Sequence, residues 1–267
     1  MKYSQKILVI RFSSIGDIVL ATSPLDTIRS AFPDAKITFL TLGKFSSLLE
    51  FHPHIDRLIS IPRKMKFREL WSFGGYLKRN GYDLIYDLHN SLRSNIVTFQ
   101  SRSHVFQLQK PRWKRMMLFY FHKNYFYPQF STRSMYHEYL GSIWNGDHSS
   151  IPPTSLRLSD GELKRGKRII SDLGIYENYI AIVPGAAWNQ KQWPAYKYIE
   201  LLNKIDIPVI LIGSSKDKIC QEIHNGLNNS LDLSGRTNLR EALSIMANSR
   251  RVIGSDTGLV HAAEALG

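Results

Sequence analysis

The sequence predicts two α/β domains in tandem, each a parallel sheet covered by helices. Three observations lead there. Apolar runs of strand length alternate with amphipathic stretches of helical period through both halves of the chain. A proline pair in "SSIPPT" interrupts that alternation near the middle. Small-residue turns follow three of the strands and lead into helices, at Ser13–Asp17, Pro184–Ala187 and Asp256–Leu259.

In chain order, the first half offers strands at Lys6–Phe12, Lys36–Thr41, Arg57–Ile61, Leu84–Leu88 and Val105–Leu108. These read as near-continuous apolar runs, as strands buried on both faces do. Helical patterns fall between them, for example Phe67–Arg79 ahead of the turn Asn80-Gly81. Pro152-Pro153 cannot sit inside a helix, so the domains are expected to span 1–150 and 151–267. The second half opens with a helix over Asp160–Leu173. Strands follow at Tyr179–Val183, Val209–Ile212 and Arg251–Ile253, with helices over Pro194–Lys204, Lys216–Gly226 and Leu239–Ala247. Asp256 or Thr257 caps a closing helix. Three or four strands make a small open sheet, so the second domain is expected to be incomplete at its C-terminus.

The 267 residues suffice for two ordinary domains, and 43% hydrophobic content supplies a core. One cysteine, Cys220, excludes an intramolecular disulfide and suggests a reducing compartment. With no visible leader and no apolar run near the ~18 residues of a membrane span, a cytoplasmic protein is expected. The net charge is +13 and uneven. No Asp or Glu occurs from Leu88 to His137, a stretch carrying Arg93, Arg102, Lys110, Arg112, Lys114, Arg115, Lys123 and Arg133. Anionic partners follow: nucleic acid, an acidic membrane face or a phosphorylated substrate.

Each turn admits a structural and a chemical reading. In "SSIGD", Ser13, Ser14, Ile15 and Gly16 present backbone N–H groups, and Asp17 falls in the first helical turn. It either caps that helix or serves as a general base at the carboxyl edge of the sheet. The missing G-x-G-x-x-G argues against a dinucleotide there. In "VPGAAWNQKQWP", Ala186 and Ala187 let backbone approach a phosphate and Lys191 adds charge; equally, this is an ordinary junction with a solvated lysine. In "SDTGLVHAAEALG", Asp256, Thr257, Gly258 and Leu259 open a helix whose free N–H groups suit an anion. His261 lies one turn on, as a donor contact or a locally satisfied helix-face histidine. Asp217 in "LIGSSKDK" stands past a strand end, at a ribose diol or in solvent.

These motifs, in this order across two tandem α/β domains, resemble the ADP-heptose:lipopolysaccharide heptosyltransferases, glycosyltransferase family 9. "SSIGD", "K-x-W-P" at Lys191–Pro194 and "SDTGLVHAAEALG" carry the resemblance, which runs nearly end to end. It implies a GT-B fold: two Rossmann-like domains facing across a cleft, the first for acceptor and the second for nucleotide sugar. It further implies inverting, metal-independent transfer of a heptose from ADP-heptose to a lipopolysaccharide inner-core acceptor, with no cofactor. Asp17 is then the base, and Lys191 with Thr257–Gly258 holds the diphosphate. Asp217 lies at the ribose, Asp256, Leu259 and His261 belong to the donor motif, and Ala186 and Ala187 offer backbone only. Ser14, Gly16 and Arg93 stand on the acceptor side. Family members continue past "ALG" with a further strand and terminal helices. The partners implied are a sugar nucleotide, a phosphorylated glycolipid and an anionic membrane face, with a peripheral location on its inner side. "KPRWKRMMLFYFHKNYFYPQF", Lys110–Phe130, suits such a face, although more than half of its eight aromatics are expected in the core. Other readings are a family-9-like transferase using another sugar nucleotide, or a non-catalytic sugar-nucleotide binder. No helix-turn-helix, RNP or zinc pattern favours nucleic acid.

Overall fold

The computed structural model describes residues 5–176 and 178–267. Two compact units follow one another, the first ending at Thr154 and the second covering Ser155–Gly267.

The first unit runs β1 (Lys6–Ile10), α1 (Ile15–Leu20), α2 (Ser23–Ala31), β2 (Lys36–Leu42), α3 (Gly43–Ser46), β3 (Arg57–Ile61), α4 (Phe67–Asn80), β4 (Leu84–Asp87), α5 (Leu92–Thr98), β5 (His104–Gln107), α6 (Arg112–Phe121) and α7 (Thr132–His137). Its five strands are all parallel, in the order β3-β2-β1-β4-β5. The apolar run of β1 is buried on both faces from Ile7 to Ile10, as a central parallel strand requires. One face of the sheet, from Leu8, Ile10, Leu40 and Ile85, packs on Leu70 and Leu77 of α4 and Val97 of α5. α4 ends where the sequence indicates: Gly81 takes the left-handed conformation (φ 65°) that closes a helix at little steric cost.

The second unit runs α8 (Asp160–Asp172), β6 (Ile180–Val183), α9 (Ala195–Leu202), β7 (Val209–Leu211), α10 (Lys218–Asn225), β8 (Ser230–Asp232), α11 (Leu239–Asn248), β9 (Arg251–Gly254) and α12 (Gly258–Leu266). Its four parallel strands lie in the order β8-β7-β6-β9. Ile180, Ile182, Val209 and Leu211 pack against Tyr198 and Leu202 of α9 and Ile219 and Ile223 of α10.

The departures from expectation have local causes. β1 ends at Ile10 rather than Phe12, although the Arg11 N–H still bonds to the Leu40 carbonyl at 3.0 Å while its side chain bonds to the loops beyond. β4 ends at Asp87, whose carboxylate takes the N–H groups of His89 and Asn90 and starts the turn. β5 begins and ends one residue early, at His104–Gln107. β8 has no apolar run to betray it; only Leu231 of its three residues is apolar, and it is half-buried at the sheet edge. Thr257, not Asp256, caps α12. The largest correction concerns Lys110–Phe130. Five of its eight aromatics are exposed, namely Trp113, Phe119, Tyr120, Phe121 and Tyr125, and α6 buries none of its residues. Among the described residues no helix is long and apolar enough to cross a membrane.

Candidate active site

In both sheets the strand order reverses beside the first strand, between β1 and β4 in one unit and between β6 and β9 in the other. Loops leaving a reversal point diverge and open a crevice, where open α/β sheets take ligands. Asp17, Lys191 and Asp256 follow the strands at those points, while Asp217 follows the neighbouring β7.

In the first unit Asp17 occupies the first turn of α1, with Ser14 as N-cap. The structural and chemical readings of Asp17 are not exclusive, because its two oxygens are used differently. Oδ2 accepts the Ser14 N–H at 3.2 Å and the Ser14 hydroxyl at 3.1 Å, and pairs with Arg11 Nη2 at 2.7 Å. Among the described residues Oδ1 accepts only the Tyr136 hydroxyl, at 3.2 Å. The Ser14 N–H is therefore engaged by the chain's own carboxylate and is not a free donor for an anion. Arg11 is buried and held at three points. Besides Asp17, it donates through Nε to the Ser13 carbonyl (2.9 Å) and through Nη1 to the Leu88 carbonyl (2.6 Å), so it bridges the loops after β1 and β4. The buried Tyr136 ring, brought in by α7, lies 5.5 Å from the guanidinium.

Burial alone pushes the Asp17 carboxyl upward, but the Arg11 charge and the hydrogen bonds from Ser14 and Arg11 together hold it below the usual carboxylate range. Asp17 is thus a carboxylate at neutral pH. His89, edge-on to Phe12 at 5.0 Å, is pushed down to about 4 by burial and by the Arg11 and Lys110 charges. It is neutral there, and its buried Nδ1 has no partner among the described residues. Arg93, expected on the acceptor side, donates to the carbonyls of Pro62 and Arg63 and lies 5.4 Å over the Phe12 ring. It lines a cavity of about 590 Å³ with Arg63, Lys64 and Lys66. Gly16 is buried in α1.

In the second unit Lys191 pairs with Asp256 at 2.5 Å, joining the loops after β6 and β9. His261 Nε2 approaches the other Asp256 oxygen at 3.3 Å. The lysine hydrogen bond comes first among the causes that keep the Asp256 carboxyl below its ordinary range. Both partners of the ion pair are about half exposed, so their attraction is worth roughly 0–1 kcal/mol and is readily exchanged. Thr257 Oγ1 accepts the Leu259 N–H at 3.2 Å, and the N–H of Gly258, the first residue of α12, has no intrahelical acceptor by its position. Asp217 anchors Oδ2 on the Ser214 N–H (2.6 Å) and hydroxyl (2.9 Å). A Cβ at Gly185 or Gly213 would come within 2.7 or 2.9 Å of that carboxylate, so both glycines make room for it. Ala186 is half-buried and Ala187 exposed in the same loop.

Sequence reasoning missed Arg11, Tyr136, His89 and Ser255. Buried Ser255 donates to the Pro184 carbonyl at 2.9 Å and accepts the Trp193 N–H at 3.3 Å, tying the two donor-side loops. Arg11 and Ser255 stood beside recognised motifs and had a positional signal. Tyr136 lies 119 residues from Asp17 and had none.

The family model for glycosyltransferase family 9 (heptosyltransferase) matches residues 70–267. Lipooligosaccharide heptosyltransferase 2 of Haemophilus ducreyi is 28% identical over 283 residues, covering 98% of this chain and 80% of that protein. Among solved structures, a family 9 glycosyl transferase from Veillonella parvula shares the fold with a TM-score of 0.83 at 18% identity, covering 100% of this chain and 80% of that one. The E. coli ADP-heptose LPS heptosyltransferase II gives 0.79 at 25% identity, with 98% and 82% covered. The two units are Rossmann-like α/β sheets of the GT-B class. The chain belongs to glycosyltransferase family 9, the heptosyltransferases, and is a glycosyltransferase.

Proposed function

We propose that this protein transfers a heptose from ADP-heptose to a phosphorylated lipopolysaccharide inner-core acceptor, with inversion and without a metal. The first unit supplies the acceptor side and the second the donor side. The observation that carries this reading is the division of labour at Asp17: Oδ2 is saturated by Arg11 and Ser14, and Oδ1 keeps one neutral donor.

In the proposed reaction the acceptor hydroxyl gives its proton to Asp17 Oδ1 as its oxygen bonds to the anomeric carbon. The bond from that carbon to the diphosphate oxygen breaks, and its electron pair leaves with ADP. Attack and departure on opposite faces invert the centre. A base so placed is typically worth 10²–10⁴-fold. The depressed Asp17 pKa keeps the base ionised and delays proton transfer until the acceptor oxygen has become acidic. Charge growing on the diphosphate is met by Lys191 and by N–H groups at the start of α12, the oriented donors such a transition state needs. Asp217 and its two flanking glycines suit the ribose diol. A glycolipid acceptor sits in a bilayer, so the reading also implies a cytoplasmic enzyme that meets an anionic membrane face.

The test is product formation with a panel of ADP-, UDP- and GDP-sugars and a deacylated inner-core acceptor, comparing wild type with Asp17→Asn. The expected outcome is transfer from ADP-heptose alone, lowered about 10²–10⁴-fold by the substitution. Equal rates would remove Asp17 as base. Transfer from another nucleotide would replace the donor, and donor binding without transfer by wild type would make the chain a binder.

A further inference from the structure

Helix α6 carries an apolar stripe that stays largely uncovered among the described residues, with the Tyr125 ring 5.0 Å from that of Trp113 and Met117 half-buried. Trp113, Met116, Met117, Tyr120 and Phe121 recur at the spacing that puts residues on one helical face. In a globular helix that face points to the core. Here Trp113 is 56%, Tyr120 70% and Phe121 60% exposed, and α6 has no buried residue. Arg112, Lys114 and Arg115 flank the stripe and Lys123 follows it, within the stretch that lacks Asp and Glu altogether. Arg112, Arg115, Met116, Phe119 and Tyr120 form an open, mainly apolar surface along the same helix. A second exposed aromatic group, Phe67, Trp71 and Phe99, lies on α4 and just past α5, accompanied by Lys64, Lys66 and Arg68. α4, α5 and α6 all begin after the carboxyl ends of parallel strands, so their N-termini share one edge of the sheet.

We infer that α6 is an interfacial helix that docks the first unit onto an anionic lipid bilayer, lying in the headgroup plane. The composition selects this occupant. Trp and Tyr combine an apolar body with a polar tip, which suits the boundary between headgroups and acyl chains. Flanking cations without a carboxylate match an anionic surface and would be poorly matched by a zwitterionic one. The transferase reading gives this docking a purpose, but the binding itself needs neither donor nor acceptor.

The experiment is flotation of the full chain with vesicles of phosphatidylglycerol or of phosphatidylcholine alone, free of any glycolipid. The wild type should float with the former and scarcely with the latter. Raising salt from about 0.1 M to about 1 M, which shortens the screening length from about 10 Å to about 3 Å, should release it. The triple variant Trp113→Ser, Tyr120→Ser, Phe121→Ser should bind about tenfold or more weakly with an unchanged melting curve, since binding scales with the apolar area inserted. The triple variant Arg112→Gln, Arg115→Gln, Lys123→Gln, which keeps the stripe, should lose the preference for phosphatidylglycerol. Equal binding to both lipids, no binding, or serine-variant binding equal to wild type would overturn the proposal. So would a wild-type dimer that the serine variant turns monomeric by light scattering without altered flotation, which would assign the stripe to a second copy. Vesicle binding that fails while sugar transfer succeeds defeats this inference alone; the reverse defeats only the transferase reading.

Discussion

Asp17 shows how one carboxylate can be part of the scaffold and remain available for chemistry. Arg11 and Ser14 from the β1–α1 loop and Tyr136 from α7 fix its orientation, and Arg11 helps hold it ionised. This predicts the pH response of Arg11→Gln. As the proposed base, Asp17 works only when deprotonated, so activity should be lost as pH falls through its pKa. Arg11 helps hold that pKa below the ordinary 3.8. Without Arg11 the acid limb of kcat/KM should move to higher pH, because burial then acts on the carboxyl unopposed by the guanidinium. The same substitution removes donors to Ser13 and Leu88 and should cost about 1–3 kcal/mol of stability, read from denaturant curves. A limb that stays in place would show that the titrating base is another group.

At the level of elements, α8 and α11 form the best-specified contact in the second unit. Glu162 caps α8 by accepting the Ser159 N–H and hydroxyl, and it also receives Arg240 of α11 on both oxygens at 2.6 Å. A Cβ at Gly166 would meet Ser244 Oγ at 2.0 Å, so the two helices touch where only a glycine fits. The Arg240 hydrogen bonds lead the causes that lower the Glu162 pKa from 4.5 to about 2. A depressed pKa contributes stability above the unfolded value, and that stability is lost as pH falls through the folded one. Glu162→Gln should therefore lower stability at pH 7 by about 1–3 kcal/mol, measured by thermal melts. The gap from wild type should narrow as pH drops from 4.5 towards 2; a gap independent of pH would mean that the loss is one of cap geometry rather than charge.

Across the whole molecule, the units divide the chemistry, with the proposed base in one and the proposed donor contacts in the other. A nucleotide that binds only the second unit should raise that unit's unfolding transition and leave the first in place. At about 100 Kd the gain is about 2.7 kcal/mol, resolvable by calorimetry with ADP. Equal shifts in both transitions would speak against this assignment. The alternation of apolar runs made the parallel sheets legible, and Lys191, Asp256 and Thr257 were legible because they flank strand ends in short motifs. Tyr136 and the bridging role of Arg11 were not, since they depend on long-range packing that no local pattern encodes. The α6 stripe misled for a related reason: helical spacing marks a face as apolar without saying what covers it. The Lys191–Asp256 pair bears on turnover. In the proposed cycle Asp256 is a resident placeholder anion, displaced when the diphosphate arrives and restored when ADP departs. Loading and unloading the donor site then become a swap of one counterion for another, and product can leave without stranding a bare cation.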